Sequence, residues 1–366
     1  MDSLSDINSL AGEASKQLSK IQVEYGYKNI DSEFSLAGVA GDYWASKFSC
    51  GDQPECIEQV APSKVAIVTG FGPTNAPTAG TLSVLLKVLS LQKVTGFYTE
   101  MIISDLGVWN SRNLAWQDIE NNTQRFLGFI DRLGFNHDNG NLRTHQDLEM
   151  LKVSGVIAKT LNLSDLEHNQ EASIPLYDAM ELGGSGLGPV VDNLYTVADI
   201  LKPLFSGYER VLVIAGLEEH YLLRLAHLVI ERLHIHYPNT FIPKDSNIGA
   251  LFTRLVPGLH PYPKMSKSIP ASFIGIGEPK DEIVKKIING SDKNEMVILE
   301  MIKQVSDWPF NKVMVAQNAF DSRRTNPSEW CLVKEEYLSY FLDLHQKWKA
   351  SSQSDSQETS VPDKKW

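Results

Sequence analysis

Short runs of aliphatic and β-branched residues alternate with amphipathic stretches, and this alternation limits the fold of the chain more than any other feature. KVAIVTG at 64–70 reads as a buried strand, Thr81 to Gln92 as a helix and FYTEMIISD at 97–105 as a second strand, a β-α-β unit. A polar helix pattern follows from Leu114 to Arg132. The alternation then resumes with a helix from Asn193 to Leu204, a strand at 211–216 (VLVIAG) and a helix from Leu217 to Leu233. That last helix opens with Glu218 and Glu219, where the helix dipole favours carboxylates. Strands joined through helices lie parallel, so the expected fold class is α/β, a Rossmann-like doubly wound parallel sheet.

From Asp281 onward the pattern is helical without strands, at 281–290, 295–305 and 333–349, which predicts a helical C-terminal domain. The expected organisation is a mobile segment over 1–30, a catalytic domain with an insertion over 31–275, the helical domain over 276–349 and a disordered tail over 350–366. The segment from Ser173 to Pro189, which contains GGSGLG, reads as an irregular loop.

With 34 Lys plus Arg against 45 Asp plus Glu, the formal charge is −11, which argues against sequence-independent coating of nucleic acid but leaves room for a local basic surface. Arg323, Arg324, Lys280, Lys285 and Lys286 are the candidates for such a patch. No apolar run suits a membrane span, and the acidic start MDSLSDINSL is unlike a secretory leader, so a cytoplasmic protein is expected. Cys50, Cys56 and Cys331 are expected as reduced thiols, and no metal site is expected, because His234, His236 and His260 have no third ligand at zinc spacing.

Two segments carry chemistry. The turn after strand 64–70, TGFGPTNAPTAGTL, places Gly72, Pro73 and Thr74 before a helix that opens near Gly80. Unpaired N–H groups at a helix start, with glycine allowing close approach, form an anion site. The second, PKMSKSIP at 263–270, interleaves two lysines with two serines and suits a polyphosphate whose charge shifts onto a leaving group. Taken singly, the first segment fits a structural turn as well as an anion site, and the composition of the second favours a solvated basic loop.

Found in this order, they resemble the two ATP signatures of class I aminoacyl-tRNA synthetases. Lys264, Met265, Ser266, Lys267 and Ser268 match the Lys-Met-Ser-Lys-Ser loop, and Thr78-Ala79-Gly80-Thr81 stands at the place of the His-Ile-Gly-His tetrapeptide. VIAGLEEHYLLRLAHLVIERL at 213–233 and LYTVADILKP at 194–203 are similar to segments of the tryptophanyl/tyrosyl branch.

The resemblance implies amino-acid activation by ATP with Mg²⁺, transfer to tRNA and a homodimer. It places Lys264 and Lys267 on the β- and γ-phosphates, and Ser266, Ser268, Thr78 and Thr81 with them in the catalytic set. Gly72, Pro73, Thr74, Gly80, Gly216 and Met265 would hold ATP, Met265 bordering the adenine. The amino-acid pocket would include Val68, Asp105, Thr196, Asp199, Glu218 and Glu219.

Val68, Ile102, Gly107, Thr196 and Glu219 replace the branch's Tyr, Gln, Glu, Gln and Gln, so most recognising polar groups are changed. Two alternatives therefore stand beside the tRNA ligase: a synthetase-like enzyme that activates an unusual amino acid for biosynthesis, and a catalytically silent regulatory paralogue.

Overall fold

The computed structural model describes residues 19–36, 38, 41–167, 187–260, 262, 265 and 269–352. Seven strands form one sheet: β1 (Lys28–Asn29), β2 (Phe48–Asp52), β3 (Val65–Phe71), β4 (Tyr98–Ile103), β5 (Gly140–Thr144), β6 (Arg210–Gly216) and β7 (Asn247–Thr253). Their order is β1-β2-β7-β6-β3-β4-β5. β5, β4, β3, β6 and β7 run parallel, while β2 lies antiparallel to β7, and β1 to β2. The chain moves outward from β3 to β4 and β5, then crosses back to lay β6 and β7 on the other side of β3. This is the doubly wound α/β architecture expected from the alternation, with its switch point between β3 and β6.

The helices of this half are α1 (Gly41–Lys47), α2 (Ala79–Thr95), α3 (Asp105–Ser111), α4 (Trp116–Arg132), α5 (Leu148–Thr160), α6 (Leu163–Glu167), α7 (Gly188–Phe205) and α8 (His220–His236). After β7 come α9 (Lys280–Ile288), α10 (Glu295–Gln304), α11 (Phe310–Asp321) and α12 (Pro327–Ala350), the helical C-terminal domain. β7 goes unrecognised in the sequence because NIGALFT is a short apolar run with no helix pattern directly before it.

Successive strand residues face opposite sides, so Ile67, Met101 and Ile103 join one apolar core, and Val68 and Ile102 the other. The first core is continuous with the helical domain. Trp348 of α12 packs edge-on against Phe126 and Phe129 of α4 at 5.4 and 5.5 Å between ring centroids. Within the first thirty residues, those from 19 onward pack onto the sheet: Ile21, Tyr27 and Ile30 are buried, because each brings a large apolar side chain to an otherwise open edge. The segment at 168–186 and the tail from 353 lie outside the described residues.

Two lysines are buried where the sheet meets the helical domain. Lys87 of α2 donates to Gln304 Oε1 of α10 at 2.8 Å, and the Gln304 amide donates to Ser46 O at 2.7 Å. Lys47 donates to the carbonyls of Lys303 and Ser306. Desolvation lowers both ammonium groups, Lys87 well below its usual value and Lys47 to about 8. The unfolded chain therefore binds more protons than the folded one from pH 8 upward, and Lys47 adds stability as pH rises from there towards its unfolded value of about 10.4. Urea unfolding across that window should show Lys47→Met losing this upward slope relative to the parent.

Candidate active site

β3 and β6 pair from Val65↔Arg210 to Val68↔Val213 and then part. β3 stays with β4 as far as Phe71↔Ile103, and β6 stays with β7 as far as Gly216↔Thr253. The sheet thus opens at its carboxyl edge over the last three residues of each strand, and a hydrogen bond from the Thr69 hydroxyl to Ile214 O, at 2.8 Å, spans the start of the split. A crevice at a topological switch point is where ligands bind in such sheets.

The turn at 72–78 and the start of α2 form one lip. Thr78 caps α2, its Oγ1 accepting the Thr81 N–H at 3.4 Å, and lies 3.4 Å from the Thr81 hydroxyl. The first N–H groups of α2 have no acceptor within the helix and point out of this end. At Gly80 a side chain would meet only Thr78 Oγ1, at 3.8 Å, so the surface there is open to close approach. Thr74 N donates to Gly72 O at 2.9 Å, Pro73 is buried, and an isolated bridge from Thr78 to Gly275 backs the turn.

Gly216 forms the opposite lip. A Cβ there would lie 2.5 Å from Glu218 Oε2, so the carboxylate of Glu218 folds back over the glycine. Desolvation raises Glu218 and, joined by repulsion from Glu218 and more weakly Asp192, pushes Glu219 up to about 8 although its side chain reaches solvent. Glu218 and Glu219 are neighbours at this lip, and their charges oppose each other.

Lys264, Ser266, Lys267 and Ser268 lie outside the described residues, on the connection that leaves β7. Met265 between them is buried in the core shared with the helical domain. Val68 is 2% exposed and packs with Ile102, Val197 and Val213 in the second core, so its side chain is committed to packing between sheet and helix. Thr196 of α7 donates to Asp192 O, one turn back in its own helix, at 3.0 Å.

Asp105 and Asp199 are both buried and hydrogen-bonded inside the protein. Asp105 Oδ1 accepts the Leu106 and His145 N–H groups at 2.9 and 3.0 Å, and its Oδ2 accepts the Gln146 amide at 2.7 Å. Asp199 Oδ1 accepts Arg143 Nη2 at 2.8 Å, and Oδ2 lies 2.7 Å from His145 Nε2. Arg143 also donates through Nε to Glu100, which accepts Lys202 Nζ at 2.8 Å. Desolvation alone would raise Asp199, but His145 and Arg143 outweigh it and hold the carboxyl below its usual range.

Glu100, Arg143, His145, Asp192 and Lys202 are the residues that the sequence did not single out. The available signal was a charge inside a strand: Glu100 sits amid apolar FYTEMIISD, and a charge buried in a parallel strand requires a partner. Lys286, a candidate for a basic patch, is instead engaged by Glu278 and by the carbonyls of Pro270 and Phe273. Among the described residues no group of three His, Cys, Asp or Glu could hold a metal ion, and no helix is long and apolar enough to cross a membrane. A separate cleft of about 360 Å³ lies along α8, lined by Tyr25, Tyr27, Asp52, Arg224, His227 and Glu231.

Replacing Arg143 by Met should leave Glu100 with Lys202 alone and Asp199 with His145 alone. Loss of one buried ionic partner typically costs about 3–5 kcal/mol, which would appear as a lower urea midpoint with an unchanged slope.

No family model matches the chain, and no curated protein matches it in sequence. Solved structures match it over nearly its whole length. Tryptophanyl-tRNA synthetase from Encephalitozoon cuniculi, bound to tryptophan, superposes with a TM-score of 0.69 at 17% identity, covering 92% of this chain and 96% of that one. The Giardia lamblia tryptophanyl-tRNA synthetase gives 0.68 at 16% identity over 98% and 97%, and the Archaeoglobus fulgidus tyrosyl-tRNA synthetase, complexed with L-tyrosine, 0.61 at 16% over 91% and 98%. The chain has the fold of the tryptophanyl- and tyrosyl-tRNA synthetases of class I, carried by a sequence only 16–17% identical to these three.

Proposed function

We propose that the protein activates an amino acid with ATP and transfers it to a tRNA. The observation that carries this reading is the split between β3 and β6, bordered by the capped start of α2 and faced in sequence by the Lys264–Ser268 loop. The substrate carboxylate attacks the α-phosphorus of ATP, forming the acyl–phosphate bond and releasing pyrophosphate. A ribose hydroxyl of the tRNA terminus then attacks the acyl carbon and AMP leaves. No protein nucleophile is needed, and the chain's contribution is to place the reactants and balance phosphate charge.

In this proposal the N–H groups at the start of α2 and the Thr78 and Thr81 hydroxyls face the phosphates, where Gly80 lets them approach and Gly72 lets the turn pack against Val108. Lys264 and Lys267, with the hydroxyls of Ser266 and Ser268, take up the charge that develops on pyrophosphate, Pro73, Thr74 and Gly216 shape the nucleotide site, and Met265 anchors the loop in the core behind it. Mg²⁺ enters with ATP as the counter-ion of its phosphates. Val68, Thr196, Glu218 and Glu219, with Asp105 and Asp199 behind them, border the amino acid. The tRNA would lie along the helical domain, and Leu148 and Leu151, exposed apolar residues one turn apart on α5, suit a homodimer contact.

Val68 and Ile102, which stand where the branch has Tyr and Gln, favour one alternative, activation of an amino acid other than tryptophan or tyrosine for a biosynthetic step. Amino-acid-dependent exchange of labelled pyrophosphate into ATP, run over the standard amino acids and amine-bearing analogues, separates the two. Exchange with no compound, while ATP still binds, would leave the regulatory paralogue.

Lys264→Ala or Lys267→Ala should lower exchange by about 10²–10³-fold, the usual loss for one transition-state donor, with an unchanged melting temperature. Unaltered exchange would remove the loop from the reaction. Glu219→Gln should change the amino-acid KM while leaving the KM for ATP unaltered, as steady-state pyrophosphate exchange would show.

A further inference from the structure

Side chains from three elements converge on Gly107 in the first turn of α3. A Cβ built there would lie 2.1 Å from Ser104 Oγ, 2.3 Å from Asp192 Oδ1 of α7 and 3.3 Å from His145 Cε1, just past β5. The Gly107 N–H donates to His145 Nδ1 at 3.3 Å, while Nε2 of the same ring faces Asp199 Oδ2 of α7 at 2.7 Å. The His145 main-chain N–H in turn donates to Asp105, the first residue of α3. One imidazole therefore stands between the two helices, with opposite hydrogen-bonding roles at its two nitrogens. Nδ1 must be bare to accept, so Nε2 carries the proton.

We propose that His145 is a positioning residue, which sets α3 against α7 by accepting from Gly107 while donating to Asp199. These helices carry Asp105, Gly107, Asp192 and Thr196, and so flank the space assigned above to the amino acid; the proposal rests on that assignment. His145 touches no reacting atom. It fixes the distance between two walls, and a substrate gripped between them depends on that distance.

Asn and Gln at position 145 divide the two roles. His145→Asn keeps an acceptor near Nδ1 and loses the donor to Asp199, whereas His145→Gln keeps a donor near Nε2 and loses the acceptor for Gly107. Hydrogen exchange of the α3 amides, read by mass spectrometry on the protein without ligand, needs no activity. Exchange there should quicken about tenfold or more in His145→Gln and stay near the parent rate in His145→Asn. In pyrophosphate exchange, His145→Gln should raise the amino-acid KM about tenfold while leaving the KM for ATP unchanged.

The parent protein supplies an independent arm. The groups facing the ring are Asp199 and Asp192 from α7, Asp105 from α3 and Arg143 from β5, with the Tyr195 ring 5.3 Å away. Desolvation lowers His145, but Asp199 and Asp105 more than offset it, so protonation begins above the ordinary histidine range. A protonated Nδ1 cannot accept from Gly107, and α3 should loosen, relative to His145→Asn, as pH falls through this titration. This arm decides the matter if His145→Gln does not fold.

The opposite ranking, with Asn loosening α3 and Gln preserving it, would show that pairing with Asp199 is the whole role and would overturn the proposal, as would two variants identical to the parent. A parent protein that exchanges no pyrophosphate with any amino acid would defeat the activation reading alone, since the hydrogen-exchange arms still test His145.

Discussion

Glu100 and Asp199 are carboxylates in a place where water cannot reach them, and the shape of the crevice follows from how they are met. An isolated charge so placed would cost many kcal/mol, and the chain avoids this by bringing Arg143 to both and Lys202 to Glu100. Each partner comes from a different element. Glu100 lies in β4, Arg143 in β5, and Asp199 and Lys202 in α7, so satisfying the charges sets the helix on the sheet. Geometry, more than stability, is what such a cluster provides: apolar residues could fill the same volume, but they would not fix α7 in one position along the strands.

The same reasoning explains what could be read from the chain in advance. β3, α2, β4, α4, α7, β6 and α8 were legible because each repeats a helix or strand pattern over several residues, whereas the lysines and serines at 264, 266, 267 and 268 lie outside the described residues. β5 was hidden, since GNLRT has a single aliphatic residue and looks like a polar loop. With it were hidden Arg143 and His145, whose importance comes from partners 56 and 54 residues away. Asp105 and Asp199 were legible as carboxylates near strand ends, but their commitment to internal partners depends on packing that local sequence does not encode.

At the carboxyl edge of the sheet the two sides of the split differ. On one, Gly80 leaves the start of α2 uncovered and the Thr78 and Thr81 hydroxyls stand 3.4 Å apart. On the other, Val68 and Ile102 are sealed in the second core, and Asp192 reaches the space beside Gly107 from α7. Substitutions on one side can leave the other in place, because α2 and the end of β3 hold the first, and β4, β5 and α7 hold most of the second.

The packing of Trp348 against Phe126 and Phe129 ties the end of the chain to its first third. During synthesis, the phenylalanines leave the ribosome more than two hundred residues before the indole that covers them. At about 5–20 residues per second, that interval is roughly ten to forty seconds. Through that time the α4 face of the sheet remains an incomplete core, and it is covered only when α12 arrives.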